Sequence, residues 1–188
     1  MLQAPTEPIT IEAFIAFALL PENAERNLEF VNGEIIEKMP GSTENSGIAA
    51  NLVFETRLYC QVNELPCFVS TGDGAYRIGQ NVIAPDFAYK PTPLTKVYPD
   101  PEPPLWVMEV ISPHDKVSVS TYDRQIRRNR KYGEAGILLW EINPHEGEIY
   151  VYATNQAPPI YGIVYGERDA IAVDVLPGLT IPLPKLFR

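Results

Sequence analysis

Leu105-Trp106-Val107-Met108-Glu109-Val110-Ile111 places one carboxylate inside an otherwise apolar stretch. A short, continuous run rich in β-branched and aromatic residues reads as a core strand covered on both faces. An ionised side chain there is costly unless a basic group, backbone N–H groups or a metal ion compensates it. A second acid, Asp86, lies 23 residues upstream in Ile83-Ala84-Pro85-Asp86-Phe87-Ala88-Tyr89. If these two strands pair as a long-looped hairpin, both acids reach one edge of a sheet. Two carboxylates, a nearby backbone carbonyl and waters suit Mg²⁺ or Mn²⁺, which prefer oxygen ligands. Taken singly, Pro85-Asp86 is also an ordinary strand-entry pair. A salt bridge to a helix arginine explains Glu109 about as well as a metal does.

Upstream, Thr10 to Leu20 reads as a short helix with Thr10 as its N-cap. Leu28-Glu29-Phe30-Val31 and Glu34-Ile35-Ile36-Glu37 flank Asn32-Gly33, a strong hairpin signal. Ser42 to Asn63 predicts a helix with a buried stripe of Ile48, Leu52, Tyr59 and Val62. Cys67–Thr71 and Ala75–Ile78 are expected to pair as strands across Gly72-Asp73-Gly74, with Asp73 as a turn residue, and Asp86–Tyr89 is the next strand. Residues 91–104 hold six prolines, a density that excludes a helix or central strand and leaves a stiff loop that covers a site or projects.

Downstream, Thr121 to Ala135 predicts a helix stopped at Gly136. Strands follow at Ile137–Ile142 and Glu148–Ala153, then near 160–165 and 170–175, ahead of a proline-rich tail. The order predicts one mixed α/β domain over residues 1–188, a central mixed sheet flanked by helices with added strands toward the C-terminus.

The longest apolar stretch, Ala13 to Leu20, is far shorter than the roughly 20 residues a membrane-spanning helix needs. No basic segment precedes it, so the expected location is the cytoplasm. Cys60 and Cys67 lie far from His114 and His145, which argues for reduced thiols rather than a zinc site. A net charge of −9 argues against indiscriminate binding to nucleic acid. The charge is uneven: residues 1–64 hold ten glutamates against Arg26, Lys38 and Arg57, while Arg124, Arg127, Arg128, Arg130 and Lys131 crowd one helix. Such a stripe can bind a phosphate backbone locally, although a solvated face is the commoner explanation. Positions 124, 127, 128 and 131 share one side at helical spacing, so Arg124, Arg128 or Lys131 can bring a cation to the acids. Glu34 is a candidate third carboxylate, with an exposed hairpin position as the plainer reading. Ser112, His114 and Asp115 are too close in sequence for a triad and fit a strand-ending turn. Trp140 and Tyr132 read as core, and aromatic strands after residue 148 raise a homodimer as the expected assembly.

Pro85-Asp86, Glu109-Val110-Ile111-Ser112-Pro113, Lys131-Tyr132-Gly133-Glu134-Ala135-Gly136-Ile137 and Trp140-Glu141-Ile142-Asn143-Pro144 occur in an order that resembles one known family. The early Leu28-Glu29-Phe30-Val31-Asn32-Gly33-Glu34-Ile35 fits the same pattern. Over roughly residues 10–155 the chain resembles the Uma-two family, bacterial domains that look like restriction-endonuclease-type PD-(D/E)XK nucleases. The resemblance implies a restriction-endonuclease-like fold, Asp86 and Glu109 as ligands for Mg²⁺ or Mn²⁺, and nucleic acid, DNA before RNA, as substrate. It also exposes departures. The third position of the (D/E)XK element is Ile111 rather than lysine. The helix position four residues before the tyrosine, where the family commonly carries lysine, is Arg128, and the histidine opening the long helix is replaced by Asn45. Arginine stays protonated and shuttles protons poorly. Two functions follow. One is a metal-dependent endonuclease using Asp86, Glu109 and Arg128. The other is a degenerate nuclease fold acting as a nucleic-acid-binding or regulatory module.

Overall fold

The Thr10 hydroxyl accepts the Ala13 N–H at 3.2 Å and so opens the first helix, α1 (Ile11–Ala18). This computed structural model describes residues 9–111, 119–154 and 162–188, with the backbone alone for 119–125. The hairpin follows as β1 (Leu28–Val31) and β2 (Glu34–Glu37), in register from Leu28 opposite Glu37 to Val31 opposite Glu34. Asn32 (φ 53°) and Gly33 (φ 85°) both take the positive φ that a two-residue turn of this hand requires. Ser42 caps α2 (Thr43–Val62) through the Asn45 N–H at 3.1 Å. Its buried face is Ile48, Ala49, Leu52, Thr56 and Cys60. The expected stripe therefore holds at Ile48 and Leu52 but not at Val62, which is 73% exposed. Four-residue steps carry the inner face through Thr56, a polar residue that hydrophobicity alone passes over.

Next come β3 (Phe68–Thr71), β4 (Tyr76–Ile78), β5 (Asn81–Ile83), β6 (Phe87–Lys90) and β7 (Trp106–Val110). The expected pairing of Cys67–Thr71 with Ala75–Ile78 does not form. β3 pairs with β6, and β4 pairs with β5, a strand the sequence reading did not anticipate. Asn81 makes the tighter turn win: its side chain donates to the Ile78 carbonyl at 3.1 Å and accepts from the Asn32 N–H at 2.9 Å. The Gly72-Asp73-Gly74 link instead carries the chain from one sheet to the other. Residues 91–104 form neither helix nor named strand, and they do not project freely. Asp100 takes the Arg77 N–H and gives its own N–H to Ala75, at 2.8 and 2.9 Å, while its carboxylate accepts from buried Lys90 at 2.7 Å.

The chain continues as α3 (Val119–Glu134), β8 (Leu138–Asn143), β9 (Glu148–Tyr152), β10 (Ile163–Gly166), β11 (Ala170–Ala172) and β12 (Thr180–Pro182). Gly136 at φ +72° lets the chain leave α3. The six-stranded sheet runs β10-β9-β8-β7-β6-β3. β7 is antiparallel to β6, as a long-looped hairpin, and parallel to β8 across the α3 crossover. A four-stranded sheet, β2-β1-β5-β4, packs beside it, and β11 pairs with β12. The tail is thus part of the core, with Ile181, Leu183 and Leu186 fully buried.

Alternation along β7 divides its side chains between two cores. Trp106, Met108 and Val110 join Ile48 and Leu52 of α2 in one. Val107 joins Ile83, Tyr132 and Leu139 in the other. Glu109 shares the Val107 face, so the acid that breaks the apolar run points toward the four-stranded sheet and α3. Among the described residues, no helix is long and apolar enough to cross a membrane.

Candidate active site

Glu109 is 1% exposed; α3 holds its carboxylate directly, and side chains from β1 and the end of β2 complete the charged cluster around it. From α3, the Tyr132 hydroxyl donates to Oε1 at 2.5 Å and Arg128 Nη2 lies 3.0 Å from Oε2. From β1, Glu29 is equally buried: its Oε1 accepts the Ala84 N–H at 3.0 Å, and its Oε2 lies 3.8 Å from Arg128 Nη1. From the end of β2, Lys38 Nζ donates to the Ala84 carbonyl at 2.6 Å and to Asp86 Oδ1 at 3.3 Å, with Glu29 Oε1 at 3.9 Å. Asp86 closes the set. Its Oδ2 accepts the Val110 N–H at 2.9 Å, so its side chain reaches the adjacent strand at the residue after Glu109. Three carboxylates and two cations converge at the ends of β6 and β7.

Burial pushes the Glu109 carboxyl up to about 7. Arg128 and Lys38 pull it down, while Asp86 and Glu29 add to the rise. Burial alone would lower the Arg128 guanidinium, but Glu109 and then Glu29 outweigh it and hold it above its ordinary value. Lys38 likewise sits above its ordinary value: Glu109, Asp86 and Glu29 together overcome the cost of burial. The Tyr132 hydroxyl is held well above its usual range by burial and by Glu109, so it remains a donor. Tyr132→Phe should therefore cost about 1–3 kcal/mol, the loss of a buried bond to a charged acceptor. Urea melts with chelator present measure it, and a stability equal to wild type would show that this bond carries no weight.

The donor set suits a hard divalent cation, since Asp86 and Glu109 offer only oxygens and each oxygen keeps a second lone pair. Among the described residues, no group of three His, Cys, Asp or Glu side chains is arranged to hold a metal ion. An ion here would take the two carboxylates and complete its shell with water, as Mg²⁺ tolerates. Asp86 would supply the more open ligand, its side chain being 30% exposed, and Glu109 the buried one.

The structure brings Asp86, Glu109 and Arg128 together. It does not gather the whole basic stripe there. Arg127 turns to Glu34 at 3.5 Å and Lys131 to Glu134 at 2.9 Å. Glu34 is exposed and away from the cluster, so the third carboxylate is Glu29. Asn45 lies in the first turn of α2, where its N–H donates to the Ser42 cap, and Asp73 is an exposed turn residue. Ser112, His114 and Asp115 lie outside the described residues, as does the Arg124 side chain. Two members went unrecognised in the sequence. Glu29 interrupts Leu28-Glu29-Phe30-Val31 as Glu109 interrupts its own strand, a signal that was available. Lys38 is the one lysine in residues 1–89. No local pattern marks it, because its hydrogen-bond partners, the Ala84 carbonyl and Asp86, are more than 40 residues away.

Comparison with known proteins adds two findings. A family model, Uma2, described as "Putative restriction endonuclease", matches residues 12–184. The fold is similar to the crystal structure of a "putative nuclease belonging to DUF820" from Anabaena variabilis ATCC 29413, with a TM-score of 0.73 and 20% identity. That similarity covers 96% of this chain and 98% of the other, and shows a restriction-endonuclease-like fold. No curated protein matches the chain.

Proposed function

The chain belongs to the Uma2 family, and from that membership we propose that it is a divalent-metal-dependent endonuclease acting on nucleic acid, with DNA as substrate. The observation that carries the reading is the hydrogen bond from the Val110 N–H to Asp86, which ties the acid at the start of β6 to the residue after Glu109 on the adjacent β7, close enough for the two carboxylates to act on each other. In this reading Asp86 and Glu109 hold Mg²⁺ or Mn²⁺. The bound ion supplies an acidified water and charge neutralisation on a phosphoryl oxygen. The protein's own residues do the rest. Tyr132 and Arg128 fix the Glu109 carboxylate from one side and so hold it in one orientation. The Val110 N–H fixes Asp86 from the other. Burial of Glu29 beneath Arg128 and Lys38 keeps both cations near the phosphate-binding end, where they offset the repulsion that three carboxylates would impose on a polyanion.

One observation favours the non-catalytic alternative. Lys38 and Arg128 already contact Asp86 and Glu109, so the acids are balanced by the chain's own charges. Titration calorimetry with Mn²⁺ on wild type, Asp86→Asn and Glu109→Gln decides between them. The nuclease reading expects binding in wild type and its loss, by about tenfold or more, in each variant. Equal binding in all three, or none in wild type, would remove the metal site and leave the binding-module reading.

A further inference from the structure

We infer that Lys38 is the residue that meets the scissile phosphate, the cation whose expected places in this chain hold Ile111 and Arg128. The inference rests on the nuclease reading and adds to it the residue that contacts the reacting group.

The two cations of the site are not equivalent. Arg128 makes its ion contacts with Glu109 and Glu29, both 1% exposed, and a further hydrogen bond from Nε to Asn129 at 3.3 Å. Its guanidinium is turned to the floor of the cluster. Lys38 instead bridges floor and mouth. On its inner side lies Glu29 at 3.9 Å, and on its outer side Asp86, the most exposed of the three acids. The two side chains are equally exposed, 16% and 17%, but it is Lys38 that contacts Asp86, the acid open to solvent, so a polyanion arriving at Asp86 has Lys38 as its adjacent cation. The ammonium is also placed by the backbone rather than by the acids alone. The Ala84 carbonyl, two residues before Asp86, accepts from it at 2.6 Å. Any strand shift that moves Asp86 carries Lys38 with it.

An ammonium has three donors. Among the described residues, two acceptors lie within hydrogen-bond distance, the Ala84 carbonyl and Asp86 Oδ1. The remaining donor is available to a non-bridging phosphate oxygen. Ile111 cannot take this part, having no polar side chain. During hydrolysis the water oxygen bonds to phosphorus while the bond to one ester oxygen breaks. The proton the water gives up balances the one the leaving oxygen takes. Lys38 keeps its protons throughout and stabilises the charge that builds on the phosphoryl oxygens.

Lys38→Met and Lys38→Arg test the assignment, with supercoiled-plasmid nicking in Mn²⁺ and Mn²⁺ calorimetry on the same preparations. Lys38→Met should lower kcat about 100-fold with KM little changed, the loss expected for removing a preorganised donor at a developing charge. Lys38→Arg should recover part of kcat. Independently of turnover, Lys38→Met should bind Mn²⁺ about tenfold more tightly, because a positive charge beside Asp86 is gone. Lys38→Arg should not. Thermal melts check folding, and Lys38→Gln, which keeps a donor for the Ala84 carbonyl, replaces the Met variant if that one fails to fold. A near-wild-type kcat in Lys38→Met, equal loss in the Met and Arg variants, or unchanged Mn²⁺ affinity in Lys38→Met would each overturn the assignment. Absence of Mn²⁺-dependent nicking in wild type overturns the nuclease reading instead. The calorimetry then decides for or against Lys38 as the charge opposing a metal at Asp86.

Discussion

Glu109→Ala is expected to abolish Mn²⁺-dependent nicking of supercoiled plasmid, a fall of about 10³-fold or more. The size follows from position. Asp86 is partly open to solvent, so in the proposed site its role can be shared with water, whereas Glu109, the proposed buried ligand, is held by Tyr132 and Arg128. Removing it leaves the buried Tyr132 hydroxyl without its acceptor and the guanidinium without its nearest carboxylate, so the variant will also be less stable. Rates are therefore compared at a temperature where melts show both proteins folded. Asp86→Asn, measured alongside, should lose activity with a smaller loss of stability. Nicking that persists in purified Glu109→Ala would trace the activity to a contaminant or another site, and the assignment of this cluster as an active site would go with it.

Arg128→Ala is expected to cost about 3–5 kcal/mol of stability at pH 8, the penalty for breaking a buried ion pair from one side. Both carboxylates left behind, Glu109 and Glu29, are 1% exposed. The cost depends on pH with a definite sign. In wild type the Glu109 carboxyl is raised from 4.5 to about 7 by burial. A raised folded-state value stabilises the fold below the unfolded value, and that contribution is lost as pH rises through about 7. Arg128 is the strongest of the groups pulling Glu109 back down, so its removal lifts the value further. At pH 5 the unpaired acid takes up a proton and the variant is spared. At pH 8 it cannot do so without cost. Urea melts with chelator present, at pH 5 and pH 8, should show a gap from wild type that widens with pH. A gap of the same size at both would mean that Glu109 is not the group Arg128 holds.

The elements that carry the site were legible where local chemistry dictates them. Thr10 and Ser42 mark helix starts, Asn32-Gly33 fixes the hairpin, and the seven-residue apolar run around Glu109 announces the buried central strand. Asp86 and Glu109 were legible for the same reason, as polar residues where packing asks for none. What escaped the sequence was decided at long range. The choice of partner for β4 turned on Asn81 reaching back to Asn32, and the place of Lys38 on the Ala84 carbonyl. The inner face of α2 could be read only in part because Thr56 is buried while Val62, at the end of the helix, is exposed. The basic helix showed its charge but not its division of labour. Arg128 and Arg127 are neighbours in sequence, yet one turns inward to Glu109 and the other outward to Glu34.

The crossover that makes β7 and β8 parallel has a consequence for the order in which this chain acquires its properties. Glu29 and Lys38 come from the first hairpin, Asp86 and Glu109 from the middle strands, and Arg128 and Tyr132 from a helix between the two parallel strands. On a ribosome, the acids emerge well before the guanidinium that neutralises them. Contacts of such large sequence separation form late and slowly. Until α3 has docked, Glu29 and Glu109 repel each other in a half-built core, and the early chain gains little by closing it. Assembly of the cluster is thereby tied to completion of the crossover, so a partial chain that ends before α3 would carry the acids and Lys38 without the Arg128 and Tyr132 that hold Glu109.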